Sequence, residues 1–334
     1  MNSLNFRDLL LSIPSQAESG LKASQDIKLA KKPDQIVICG MGGSALAGEF
    51  LQAVFNEFKI KIPVYSHKDY DLPLTITKNS FMVCISYLGN TEETISAYKK
   101  ALSQKLKILA MASGGKLKDL AIKNKTPFIS IDLNSLPPRL SAFYMFSALV
   151  GVVVNSKILP MNVIRQLKDG VRNLRIKTIE DSANDIAAKI GGKTPLIYSS
   201  LKMDSLAYFL KISFNENAKI HAFSNFLPEC QHNEIQGFAD ESLNLRFYSI
   251  FLKDSADSQK RINKRMDIMT QMINKRGFDF SIVDFDVFNL KNIFEKIIFT
   301  LFMGGFLSLK FADIKNQDPI LTPLIDELKN ALNK

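Results

Sequence analysis

Short apolar runs alternate with segments of helical spacing through the first half of the chain. QIVIC (35–39), IPVYS (62–66), FMVCIS (81–86), KILAMA (107–112) and PFISIDL (127–133) have strand length, and ALAGEFLQAVFNEF, EETISAYKKALSQ and KLKDLAIKN between them have apolar residues three and four apart. Near-continuous apolar strands separated by helices predict a parallel, doubly wound α/β sheet covered on both faces. Ligands of such sheets bind in the loops at the carboxyl ends of the strands. The segments 143–155 and NVIRQLKDGVRNLRIKT (162–178) predict helices that end this domain and lead into a second one.

After Thr194 the pattern restarts. PLIYSS (195–200), a helix over LAYFLKISFNENAK, a short strand near KIHAF, LNLRFYSIFL (243–252), a helix through RINKRMDIMTQMINKRG, FSIVDF (280–285) and a final apolar helix follow one another. In the long helix, Ile262, Met266, Met269 and Ile273 form a core-facing stripe. The two halves repeat one order of elements at a displacement of roughly 160 residues, as a weak internal duplication produces. The expected domains are 1–155 and 156–334.

Composition narrows the class. An apolar content of 46% with 23% charged residues over 334 positions describes a globular chain large enough for two cores. The N-terminus lacks a basic leader and meets Pro14 early, which argues against a secretory signal. The apolar stretches 142–154 and 297–309 are too short to span a bilayer and predict buried helices, so no membrane role is expected. Cys39, Cys84 and Cys230 form no CxxC pair and suit a reducing cytoplasm. The net charge of +10 is spread along the chain, which favours a basic surface or an anionic small substrate over nucleic acid.

Four stretches carry candidate chemistry. CGMGGSALAG (39–48) follows a strand and offers Gly42, Gly43 and Ser44 at a helix start, where free amides hold anions. With Gly40 and Ala45 it also fits a dinucleotide fingerprint, Asp69 standing near the ribose position, so dinucleotide, phosphate and plain turn all remain open. SYLGNTEET (86–94) is a second hydroxyl-rich turn on the same sheet, and Ser86, Gly89, Asn90 and Thr91 beside Ser44 favour a phosphate. Its alternative is simple capping of the next helix by Asn90 or Thr91 with Glu93. In SLPPRLSAF, Pro137 and Pro138 stiffen the approach to Arg139, a candidate clamp for negative charge. NENAK places Glu216 between Asn215 and Asn217, which could orient its carboxylate, and QHNEI carries His232; both residues suit proton transfer. His67 and His221 are read as structural or surface residues, and nothing has metal-ligand spacing.

GMGGSALAG, SYxGNTEET, PPR, NENAK, HNE and a final DP…LID-x-LK together resemble the bifunctional phosphoglucose/phosphomannose isomerase family, built from two sugar-isomerase (SIS) domains. The resemblance runs from Gly40 to Lys329. It implies two flavodoxin-like domains, a cytoplasmic homodimer, and interconversion of glucose 6-phosphate or mannose 6-phosphate with fructose 6-phosphate through a cis-enediol, with no metal or redox cofactor. Carried over by position, it makes Glu216 the base, gives His232 ring opening, typically from the partner subunit in the family, and sets Arg139 against enediolate charge. Lys329 would help ring opening or proton exchange, Thr322 would admit the mannose epimer, and Ser44, Ser86 and Thr91 would hold the 6-phosphate. Leu88 departs from the usual SYSGNT, where a second serine offers its hydroxyl. Two other readings are an isomerase of a different sugar phosphate and a non-catalytic sugar-phosphate sensor.

Overall fold

The apolar runs of the first half become strands because both of their faces are covered. β1 (Ile36–Cys39) and β3 (Phe81–Ile85) are buried at every position, and β4 (Lys107–Ala112) at all but its first. With β2 (Val64–His67) and β5 (Phe128–Ser130) they form a parallel sheet ordered β2-β1-β3-β4-β5. One face packs Val37, Met82, Cys84 and Ala110 on Ala97, Tyr98 and Ala101 of α4 (Glu92–Ser103) and Leu117 of α5 (Gly115–Lys123). On α3 (Gly43–Glu57), Phe50 meets Phe146 of α6 (Ala142–Asn155) edge to face, with ring centroids 5.8 Å apart. The computed structural model describes residues 3–133, 136–240, 242, 245–257 and 259–332.

The second sheet is ordered β7-β6-β8-β9, again parallel, from β6 (Thr194–Ser200), β7 (Phe223–Leu227), β8 (Phe247–Lys253) and β9 (Phe280–Asp284). It repeats the first four strand positions of the other sheet. Met266, Met269 and Ile273 of α10 (Lys260–Asn274) enter its core, with Ile262 partly buried beside them. Both sheets therefore reverse strand order next to their first strand. Such a reversal is where open α/β sheets bind ligands.

Several details differ from the sequence expectation. The chain divides into Leu11–Asn173 and a unit joining Met1–Leu10 to Leu174–Lys334, whereas the expected division fell at 155/156. The reason lies in two helices. α7 (Asn162–Arg172) packs on α2 (Ile13–Ala23) and α6, so it stays with the first sheet. α1 (Ser3–Leu11) is tied to α8 (Ile176–Ile190), because Arg7 donates to both carboxylate oxygens of Glu180 at 2.8 and 2.9 Å. The expected helix 162–178 is accordingly split, and Pro14 sits in the first turn of α2, where its missing N–H costs nothing.

β7 begins where the expected strand near 219–223 ends. Lys219 adopts a left-handed backbone, φ 54°, and turns the chain before pairing begins. The expected strand 243–252 begins only at Phe247, and its residues 243 and 244 lie outside the described residues. The last apolar helix, α11 (Ile293–Ile314), runs 22 residues, long and apolar enough to cross a bilayer rather than too short. Most of it is buried against α8 and α9 (Asp204–Asn217), as the central helix of its unit. A final helix, α12 (Pro323–Leu332), has no buried residue.

Candidate active site

The first sheet reverses between β1 and β3, and the two anion-turn candidates follow those two strands. After β1, Gly42 at φ 50° precedes α3, whose first turn contains Gly43 and the buried Ser44. Gly43 has no alternative there: a Cβ on it would lie 2.7 Å from the amide nitrogen of Arg139 and 2.8 Å from the carbonyl carbon of Pro138. The PPR segment is thereby packed directly on the turn. Arg139 itself is only 3% exposed.

After β3, Ser86 is buried and donates through Oγ to Thr91 Oγ1 at 2.8 Å, while the Thr91 amide donates to Ser86 Oγ at 3.2 Å. This settles the capping alternative for Thr91. It occupies the N-cap position of α4, but its hydroxyl does not cap the helix and bonds to Ser86 instead. The Thr91 hydroxyl proton can thus be given to an acceptor lying over the free amides of α4. An oxyanion is the chemistry that such an arrangement accepts.

The turn is fixed from behind by the start of α5. Tyr87 O accepts from Ser113 N and Oγ at 2.7 and 2.8 Å, and Gly89 O accepts from Leu117 N at 2.9 Å. Asn90 Oδ1 accepts from the Lys116 amide at 3.1 Å, so Asn90 ties the turn to α5. A Cβ on Gly89, where φ is 78°, would come within 1.8 Å of Gly114 O. Only glycine permits this contact. Burial pushes the Tyr87 phenol upward despite a hydrogen bond with Ser141, and it stays neutral in the loop. Leu88, at the tip, is 61% exposed.

In the other unit, Glu216 stands on the last turn of α9, partly buried. The flanking asparagines anchor that turn. Asn217 Nδ2 donates to Ser308 Oγ of α11 at 2.8 Å, and Asn215 Nδ2 donates to Ile220 O at 2.9 Å. Lys219, given no role from sequence, donates to Glu216 O at 2.9 Å, to Asn217 O at 3.1 Å and to Asp318 O. It fastens the Glu216 turn to the DP segment that leads into α12. Membership of NENAK was its only sequence signal, since its partner Asp318 is 99 residues away.

Thr322 stands just ahead of α12, its carbonyl accepting from the amides of Ile325 and Asp326 at 3.0 and 3.1 Å, and Lys329 is exposed on that helix. His232 is exposed on a 3-10 turn, Glu229–His232. The structure thus joins Ser44, Ser86, Thr91 and Arg139 through one set of packed loops, and links Glu216 to the segment bearing Thr322. His67 Nε2 lies 3.2 Å from Tyr70 O, and His221 is exposed. Among the described residues no cluster of three or more His, Cys, Asp or Glu is arranged to hold a metal ion.

Residues 28–144 match the SIS domain model and 179–332 the bacterial phospho-glucose isomerase C-terminal SIS domain. The bifunctional phosphoglucose/phosphomannose isomerase of Thermoplasma volcanium is 32% identical over 98% of this chain and 100% of its own length. The chain belongs to the bifunctional phosphoglucose/phosphomannose isomerase family. Its Caldicellulosiruptor bescii member is likewise 32% identical, over 96% of this chain and 97% of its own. In fold, the chain resembles the C-terminal domain of glucosamine-fructose-6-phosphate aminotransferase from Francisella tularensis, with a TM-score of 0.71 at 16% identity over 95% of this chain and 98% of that one. Each family model falls within one of the two units, so family membership rests on both sheets.

Proposed function

We propose that the protein interconverts glucose 6-phosphate, mannose 6-phosphate or both with fructose 6-phosphate. The observation that carries this reading is the hydroxyl pair Ser86 and Thr91 beside the Ser44 turn, in a member of this family that covers the whole of its Thermoplasma volcanium relative. Ser44, Thr91 and the amides at the starts of α3 and α4 hold the phosphate dianion, which the positive ends of the two helices favour. Gly43 and Gly89 let the backbones come close, and Gly42 supplies the positive φ of the turn before α3. Ser86 orients Thr91, and Asn90 serves by fixing the loop.

Glu216 takes the proton from C2 of the open-chain aldose. The electron pair moves into the C1–C2 bond, O1 gains a proton, and a cis-enediol results. The carboxyl then returns its proton to C1 as the O2 hydroxyl proton leaves, giving the ketose with atoms and charge balanced. Arg139 stabilises the negative charge that develops on the enediolate oxygens. His232 passes a proton to the ring oxygen during opening, Lys329 exchanges protons at the hydroxyls, and Thr322 accommodates the mannose epimer. The active form in this reading is a cytoplasmic homodimer.

Coupled assays of fructose 6-phosphate conversion test the proposal. The purified protein should form glucose 6-phosphate or mannose 6-phosphate, and Glu216→Gln should lower turnover by at least about 100-fold while substrate affinity stays within about threefold. Conversion to neither product, or full turnover in Glu216→Gln, would overturn it.

A further inference from the structure

We infer that Glu234 is a positioning residue that fixes the backbone carrying His232; its bearing on catalysis rests on the role proposed for His232. His232 ends the first of two short 3-10 segments, Glu229–His232 and Glu234–Ala239, which Asn233 joins. Such segments have poor hydrogen-bond geometry of their own and need outside support. Two anchors supply it. On one side, Glu234 Oε1 accepts from Tyr198 Oη at 2.7 Å and Oε2 accepts from Asn225 Nδ2 at 2.5 Å. On the other, Gln231 Nε2 donates to Arg265 O at 2.9 Å and Arg265 Nη1 donates back to Gln231 Oε1 at 3.0 Å.

The Glu234 anchor reaches into the core. Tyr198 on β6 is buried and stacks on Phe251, centroids 5.2 Å apart. Asn225 on β7 is oriented by the Phe226 amide, which donates to its Oδ1 at 2.8 Å. Asn233 adds a local brace, giving Nδ2 to Glu229 Oε1 at 2.8 Å and accepting from the Glu234 amide at 2.5 Å. Burial, and then the charge of Glu234, push the Tyr198 phenol up, so it remains a donor. The same two causes push the buried Cys230 thiol up to about 12, which leaves it a neutral packing group.

A carboxylate brought into a partly buried site loses hydration, and an apolar side chain would fill the same space without that cost. What the carboxylate adds is two directional bonds to two strands. They hold in register a backbone whose next-but-one side chain is the exposed His232. A merely space-filling residue would leave that ring free to drift.

Proton NMR reads the effect directly, because the chain has three histidines and His232→Gln assigns the third ring signal. Glu234→Ala should shift or broaden the His232 ring resonance and leave His67 and His221 in place. Tyr198→Phe, which removes one hydroxyl, should do the same to a smaller extent, and Glu234→Gln, which keeps the acceptor for Tyr198, should return the signal part of the way. An unmoved His232 signal in both Glu234→Ala and Tyr198→Phe overturns the inference. If all three signals move in Glu234→Ala, the Tyr198→Phe spectrum decides by the same criterion.

In the isomerase assay, Glu234→Ala should lower kcat about tenfold to 100-fold with KM changed less than about twofold, and Glu234→Gln should recover part of it. An equal loss in Glu234→Ala and Glu234→Gln, or a change confined to KM, counts against positioning. If the unaltered protein converts no sugar phosphate, the proposed function falls and the NMR comparison alone decides the role of Glu234.

Discussion

The two sheets reverse strand order at corresponding places, yet the two places have opposite chemistry. Between β1 and β3 the loops offer hydroxyls and helix-start amides. Between β6 and β8 the space is taken by the protein's own charges. Asp254 is buried and paired with Lys296 Nζ at 2.5 Å, and Asp257 is paired with Lys202 at 3.2 Å. Ser255, the hydroxyl at this end of β8, is committed to Asp284, its amide donating at 3.1 Å and its Oγ bonding the other carboxylate oxygen. A phosphate dianion arriving there would meet carboxylates whose countercharges are already used. Topology supplies the location of a ligand site, and the side chains at the strand ends decide whether it is open.

The largest test of this contrast is Lys296→Met. It leaves Asp254 buried without its counterion, and Oδ1 of that carboxylate already makes no hydrogen bond. Unpairing a buried ion pair costs about 3–5 kcal/mol, so the urea midpoint should fall steeply, and Lys296→Met with Asp254→Leu should recover most of the loss. A cost below about 1 kcal/mol would mean that charge pairing does not close this end of the second sheet.

Next in size is Ser86→Ala at the open end. Removing the hydroxyl that orients Thr91 and accepts its amide should weaken sugar-phosphate binding by about 1.5–3 kcal/mol, roughly tenfold to 100-fold in Kd by calorimetry. Unchanged affinity would remove the β3 turn from phosphate recognition. The smallest effect is expected from Leu88→Ser. At 61% exposure the leucine packs little, so stability should change by less than about 0.5 kcal/mol. A hydroxyl regained near the phosphate is worth about 0.5–1.5 kcal/mol, or roughly twofold to tenfold in KM. A KM that stays constant for every sugar phosphate would place the leucine outside the pocket and remove it as a source of selectivity.

Much of the fold was legible because β1, β3 and β4 are covered on both faces and so read as unbroken apolar runs. The two candidate anion turns were legible for a related reason: glycine and hydroxyl residues concentrate where strands give way to helices. The parts that were missed depend on distant partners. Arg7 and Glu180 are 173 residues apart, and nothing local to α1 assigns it to the second sheet's unit. The spacing of Asn215 and Asn217 around Glu216 suggests that they orient its carboxylate, but their side-chain amide N–H groups support helix α9 and the turn after it, through Ser308 and Ile220. Glu234 appeared only as a letter in HNE, because Tyr198 and Asn225, which give it meaning, come from two different strands.

Lys219 has a consequence for how this half of the molecule opens. One ammonium group holds three carbonyls, two from the end of α9 and one from the start of the C-terminal segment. Fraying of the chain terminus cannot pass Asp318 without also releasing a charge-assisted bond at the Glu216 turn. Hydrogen exchange would then report the helix end and the tail as one cooperative opening unit, in which the order around Glu216 and the anchoring of the tail are lost together.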